Sequence, residues 1–183
     1  MPNNLEQAYE LTLVVRSQMG DESAFAELFR KYSPRLRFYV ARMLGDRHSH
    51  TDDLLQEIWT SIFRALPRLK DAAAFRAWMF RIARDRVCRE FRRAQLQFDS
   101  LGESHIETAT GDSEGHDTFD IEAVHQQLAS LSPEHREALV LRFVEDMSYE
   151  EIARVTGHSS GTVRSRIHYA KRALRRAWKG ASL

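Results

Sequence analysis

The stretch SYEEIARVTGHSSGTVRSRIHYAKRALRRAW, Ser148 to Trp178, decides how this chain folds. Ser148 with Glu151 three residues on has capping-box spacing, which starts a helix by satisfying its first backbone donors reciprocally. Gly157 stands where a helix closes in a left-handed residue. After the turn Gly157-His158-Ser159 a second helix starts near Ser160 and runs to about Trp178. Helix, short glycine-containing turn and helix is the sequence form of a helix-turn-helix. Val163, Ile167, Ala170 and Leu174 fall on one side of the second helix, able to pack on Ile152, Ala153 and Val155. The other side carries polar or basic residues. Only the first turns of such a helix reach base edges, so Thr162, Ser165, Arg166 and Tyr169 are expected to read bases, and Arg172, Arg175 and Arg176 to meet phosphates.

Upstream, Ser132-Pro133-Glu134 reads as an N-cap, a proline at the first helical position and an acid in the first turn. The N-terminal half also shows helical periodicity. A first helix is expected over Asp21 to Leu44, stopped by Gly45. Thr51 suits an N-cap for a second helix, with Asp52 and Asp53 in its first turn and Leu55, Ile58, Ile62 and Leu66 as its buried stripe. A third, from about Ala72 to Arg93, has two apolar stripes. Phe75, Met79 and Ile82 lie on one, and Phe80, Val87 and Phe91 on the other, so one face packs on the bundle and the second is left for another contact.

The 183 residues hold 27 Lys+Arg and 26 Asp+Glu, a net charge of +1 that conceals segregation. Arg76, Arg81, Arg84, Arg86, Arg89, Arg92 and Arg93 oppose only Asp85 and Glu90. From Ala94 to His135 no Lys or Arg occurs, and after Glu151 no acid occurs. Two basic modules therefore flank an acidic connector, a pattern suited to nucleic-acid contact at both ends. The connector, residues 96–122, is rich in Gly, Ser, Thr and acids without apolar period and reads as a flexible linker. The expected fold is all-α: two small helical domains, residues 21–95 and 123–180, joined by that linker and preceded by an extension over residues 1–20. No apolar run approaches the roughly 20 residues of a bilayer span, and MPNNLEQAYE is not a secretory signal, so a cytoplasmic protein is expected. Cys88 is the single cysteine; within a helix it reads as a small core residue.

Three classes of function remain open on the residues alone. A stand-alone helix-turn-helix regulator explains Ser148 to Trp178 but not the basic-aromatic third helix, and no dimerisation heptad is present. A metal-dependent nuclease would draw on Asp52, Asp53, Glu57, His48 and His50, yet those histidines lack the spacing of a helical metal pair. The third is a protein that contacts DNA through both modules.

Two blocks carry a resemblance that favours the third. DDLLQEIWTSIFRALPRLKDAAAFRAWMFRIARDRVCREFRR, Asp52 to Arg93, resembles region two of bacterial RNA polymerase sigma factors of the extracytoplasmic-function group. LSPEHREALVLRFVEDMSYEEIARVTGHSSGTVRSRIHYAKRALRRAW, Leu131 to Trp178, resembles their region four. The resemblance implies that Asp52, Asp53, Leu54, Gln56 and Glu57 dock on core RNA polymerase. It implies that Arg76, Phe80, Arg81, Arg84, Arg89, Phe91 and Arg92 capture the opened minus-ten strand of promoter DNA, where an unpaired base is held while arginines follow the backbone. It further implies minus-thirty-five recognition by Ser160, Gly161, Thr162, Arg164, Ser165, Arg166, His168, Tyr169, Arg172, Arg175 and Arg176. Asp85 stands where the family often has Asn, and Tyr169 where it commonly has a basic residue. An anti-sigma factor is the further implied partner, the free chain is expected to be monomeric, and no cofactor, metal or catalytic residue is expected. Two elements two helical turns apart lie about 70 Å from each other. A linker of about 25 residues spans at most about 85 Å extended but about 25–30 Å as a free coil, so it runs well extended when both modules are engaged.

Overall fold

The computed structural model describes residues 4–45, 51–101, 128 and 130–180. All elements among them are helical: α1 (Asn4–Gln18), α2 (Glu22–Leu44), α3 (Thr51–Ala65), α4 (Phe75–Leu101), α5 (Pro133–Leu139), α6 (Tyr149–Thr156) and α7 (Ser160–Gly180). Two 3₁₀ turns, Leu66–Arg68 and Ala72–Ala74, connect α3 to α4, and a π turn, Val140–Val144, continues α5.

The segment read as an N-terminal extension forms α1, which packs along α2. Leu13 and Val14 are buried in the core, and Lys31 of α2 ties the outer edge by pairing with Glu6 at 3.3 Å and Glu10 at 2.7 Å. Asp21 ends the intervening turn as the N-cap of α2, accepting from the N–H groups of Ser23 and Ala24. Hydrogen bonds from Ser23 and Ala24 hold its carboxyl well below the usual carboxylate range. Gly45 closes α2 with φ of 63°. Thr51 is the first residue of α3 and lies buried, and its hydroxyl finds no hydrogen-bond partner among the described residues. The expected side-chain cap is not made by it.

Helices α2, α3 and α4 build the first module around edge-on aromatic pairs. Tyr32 meets Phe75 at 5.8 Å between centroids and Tyr39 meets Phe80 at 5.4 Å. Such pairs add about 0.5–1.5 kcal/mol beyond their area burial. Helix α4 starts three residues later than expected and runs to Leu101, so the first six residues of the expected linker, 96–101, are helical. The remainder of that linker, 102–122, lies outside the described residues.

The second module follows its capping chemistry closely. Ser132 caps α5, both halves of the Ser148–Glu151 capping box form, and Gly157 closes α6 with φ of 73° in the left-handed region. Ser159 starts α7, accepting from the Thr162 N–H at 3.1 Å. Met147, Ile152, Val155, Val163, Ile167 and Ala170 make the core of this module. Replacing Gly157 by alanine is expected to cost about 1 kcal/mol. Open space surrounds the new Cβ, so the strain is in the backbone alone; a thermal melt shifted by a few degrees, with helix content unchanged, checks it.

The two modules touch. Helix α4 packs against α6, and α2 against α5. Along this contact Arg84 of α4 meets Glu137 of α5 at 3.0 Å, while Phe80, one turn before it on the second stripe, is fully buried against Tyr39 within the first module.

Candidate nucleic-acid interface

Helix α7 presents a continuous face to solvent. Gly161, Thr162, Arg164, Ser165, His168, Tyr169, Arg172, Arg175 and Arg176 are exposed, and Ser160 half so. Its core side is the expected one, with Val163, Ile167 and Ala170 buried. The cap at Ser159 also holds Thr162: its hydroxyl lies 3.0 Å from that of Thr162. The His168 and Tyr169 rings meet edge-on at 5.5 Å, and Tyr169 stays 55% exposed. Arg166 differs from its neighbours, being half-buried with a buried Nη1 that has no hydrogen-bond partner among the described residues. Of the residues expected to read bases, Thr162, Ser165 and Tyr169 stand free, whereas Arg166 must swing outward to reach one.

On α4 the expected strand-contact residues divide into three groups. Arg81, Arg89 and Arg92 are exposed. Phe80 is 0% exposed and sealed against Tyr39, so its expected contact with DNA is replaced by a place in the core; Phe91 is partly buried against that core. Arg76 and Arg84 are half-buried and committed to carboxylates of the second module, Arg76 to Glu151 at 2.7 Å and Arg84 to Glu137 at 3.0 Å. Burial works against both guanidinium charges, but Glu151 and Glu137 more than offset it and raise both pKa values. Burial likewise disfavours the Glu151 carboxylate, yet hydrogen bonds from the Ser148 N–H and from Arg76 hold it below the usual range. Glu145 goes the other way. Its side chain is buried, and burial pushes its carboxyl up despite Arg35 at 2.8 Å.

On α3, Asp52, Asp53, Gln56 and Glu57 are exposed. Asp52 pairs with Arg37, and Glu57 with Arg86 at 3.2 Å, so both carboxylates already neutralise arginines. Leu54 is only 7% exposed and belongs to the core, four residues before the fully buried Ile58, which removes it from the expected docking surface. Beside these polar residues lies an aromatic edge that the stripe Leu55, Ile58, Ile62 and Leu66 does not include. Phe63 is 57% and Phe29 43% exposed, with Phe29 against Trp59 at 4.7 Å and Phe63 against Phe25 at 5.0 Å. Its signal was available, because Phe63 is out of step with the Leu55, Ile58, Ile62 spacing. Cys88 is half-buried, and burial pushes its thiol up. Among the described residues, no helix is long and apolar enough to cross a membrane.

Comparison with known proteins agrees with this geometry. Residues 28–97 match the family sigma-70 region 2 and residues 121–174 match sigma-70, region 4. The chain is 34% identical over 163 residues to the RNA polymerase sigma factor CarQ of Myxococcus xanthus, covering 87% of this chain and 92% of that one. It is 30% identical over 183 residues to the ECF RNA polymerase sigma-E factor of Escherichia coli, covering 92% and 94%. Among solved structures, CnrH in complex with the cytosolic domain of CnrY is similar with a TM-score of 0.69 and 26% identity, covering 94% of this chain and 98% of that one. Two matched regions in the same order, a capped helix-turn-helix and an arginine-lined α4 place this chain in the extracytoplasmic-function group of the sigma-70 family of bacterial RNA polymerase sigma factors.

Proposed function

We propose that α3, α4 and α7 divide the work of promoter-directed transcription initiation. The chain binds core RNA polymerase through the exposed Asp52, Asp53, Gln56 and Glu57 of α3, and the neighbouring Phe29 and Phe63 supply an apolar anchor beside that polar rim. The arginines of α4 follow the backbone of the opened minus-ten strand. Thr162, Ser165 and Tyr169 of α7 read the minus-thirty-five element in the major groove, with Arg172, Arg175 and Arg176 on its phosphates. The observation that supports this reading most is the acid-free, fully presented face of α7 in the same chain as the arginine ridge of α4. The protein acts by binding, in the cytoplasm, as a monomer when free. Strand opening draws on binding energy, so neither a cofactor nor a catalytic residue takes part. CnrH is held by the cytosolic domain of CnrY in its solved complex, and a comparable anti-sigma protein is the second partner proposed for this chain.

The test is co-elution of the purified chain with core RNA polymerase, followed by transcription from a pool of genomic DNA. Binding to core together with discrete new start sites is the expected result. Tight duplex binding without any affinity for core would instead identify a stand-alone regulator.

A further inference from the structure

The part of α7 that enters a groove first presents hydroxyls and rings to the bases, and no free cation. At about 100° per residue Thr162, Ser165 and Tyr169 fall within about 60° of one another around the helix, so they form one line of exposed side chains. Two arginines, Arg164 and Arg166, lie in the same stretch, Ser160–Tyr169, and neither stands on that line. Arg164 points about 100° or more away from each of the three and lies over the Tyr149 ring at 6.0 Å. Arg166 is half-buried, with a buried Nη1 that has no hydrogen-bond partner among the described residues. Lys171, the next cation along α7, is likewise drawn aside, 4.5 Å above the Phe143 ring. The largest group on the line is therefore the Tyr169 ring, 55% exposed. The His168 ring meets it edge-on at 5.5 Å and limits the directions that it takes.

We propose that Tyr169 selects thymine by covering its methyl group, so that the element read by α7 carries a T·A or A·T pair opposite this residue in place of a guanine held by arginine. This rests on the minus-thirty-five reading of α7 given above, and it names the base that one residue of that face recognises. The chemistry of the groove decides between the bases. Guanine offers two acceptors, N7 and O6, which take paired donors from an arginine or a lysine, whereas thymine alone offers a methyl group, which takes apolar contact. A tyrosine has a single hydroxyl at its tip and cannot donate that pair of bonds. Its ring is apolar and broad enough to exclude water from a methyl. Position along the duplex follows from the helix. Tyr169 stands about 10.5 Å beyond Thr162 along α7, which is about three base-pair steps of 3.4 Å. The thymine therefore lies about three pairs from the base pair that Thr162 meets.

The experiment presents the full-length chain with a pool of DNA duplexes of random sequence and sequences what it retains. Wild type is compared with Tyr169→Phe and Tyr169→Arg; the side chain is exposed, so helix content by circular dichroism stays that of the wild type. At one position of the retained element the wild type is expected to enrich a T·A or A·T pair. Tyr169→Phe should keep that preference, and Tyr169→Arg should replace it by guanine with a discrimination of about tenfold or more. A second measurement isolates the methyl group. Deoxyuridine in place of that thymidine removes the methyl alone, and wild-type affinity should fall about fourfold, the worth of one buried carbon. Tyr169→Ala should bind the two duplexes equally. Guanine enriched by the wild type at the position that Tyr169→Arg alters overturns the proposal, as does equal wild-type affinity for thymine and uracil. A preference lost in Tyr169→Phe assigns recognition to the hydroxyl and overturns it too. The underlying reading fails in a different way. An enriched element that responds to Thr162→Ala or Ser165→Ala, and nowhere to Tyr169→Arg, removes Tyr169 and leaves the minus-thirty-five reading standing, whereas a pool with no enriched element sinks both.

Discussion

Truncating Phe80 to alanine is expected to destabilise the first module by about 3–5 kcal/mol, the usual cost of removing a fully buried aromatic side chain. Phe80 has no solvent exposure and packs edge-on against Tyr39, itself fully buried. Domains of this size are stable by about 5–15 kcal/mol in all, so the loss takes most of the margin. The damage reaches beyond α4, because Tyr39 also donates to Glu137. A chemical denaturation curve should show the midpoint of the first module collapsing. The same substitution at Phe91, only partly buried, should cost far less. If Phe80→Ala left stability intact and impaired only strand capture, the packing assigned to this residue would be wrong.

The second large effect is electrostatic. Arg172, Arg175 and Arg176 lie exposed along α7 with no acid on that helix to offset them. Replacing all three by alanine is expected to weaken binding to a minus-thirty-five duplex by about a hundredfold near 0.1 M salt, almost uniformly across sequences. The dependence of log affinity on log salt should become shallower by about 2.7, close to 0.9 for each phosphate that is no longer neutralised. Fluorescence anisotropy over a salt series measures both quantities. Thr162→Ala or Ser165→Ala should change sequence preference with little change in that slope, because base-edge contacts release no counterions. A triple variant with an unaltered salt slope would show that these arginines do not meet phosphates.

The helix-turn-helix was legible because its boundaries are local. Ser148, Glu151, Gly157 and the Ser159 turn each act within four residues, and the structure places every one where its capping chemistry requires. What could not be read was set by contacts far apart in the chain. Helix α1 is held from elsewhere in the chain, by Lys31 of α2 and by burial of Leu13 and Val14 in the core. Leu54 and Phe80 sit next to residues that do face outward, Leu54 beside Asp53 and Phe80 beside Arg81. Periodicity gives a face and cannot say which neighbour covers it. The second stripe of α4 is the clearest case: its apolar members suggested a contact, but only the fold shows that Arg84 there meets Glu137, 53 positions later.

The π turn at Val140–Val144 fixes the phase between the halves of that contact. Its bond from the Glu145 N–H to the Val140 carbonyl, 3.0 Å long, skips one residue more than an ordinary helical bond. Each residue of a regular helix advances the direction of a side chain by about 100°. The π turn instead winds its extra residue into a wider loop, so Glu145 leaves it in nearly the direction that a regular turn one residue shorter would give. A relative with a single-residue gap at these positions can therefore keep Glu145 facing Arg35 and Arg76, with an ordinary α turn where this chain has a π turn.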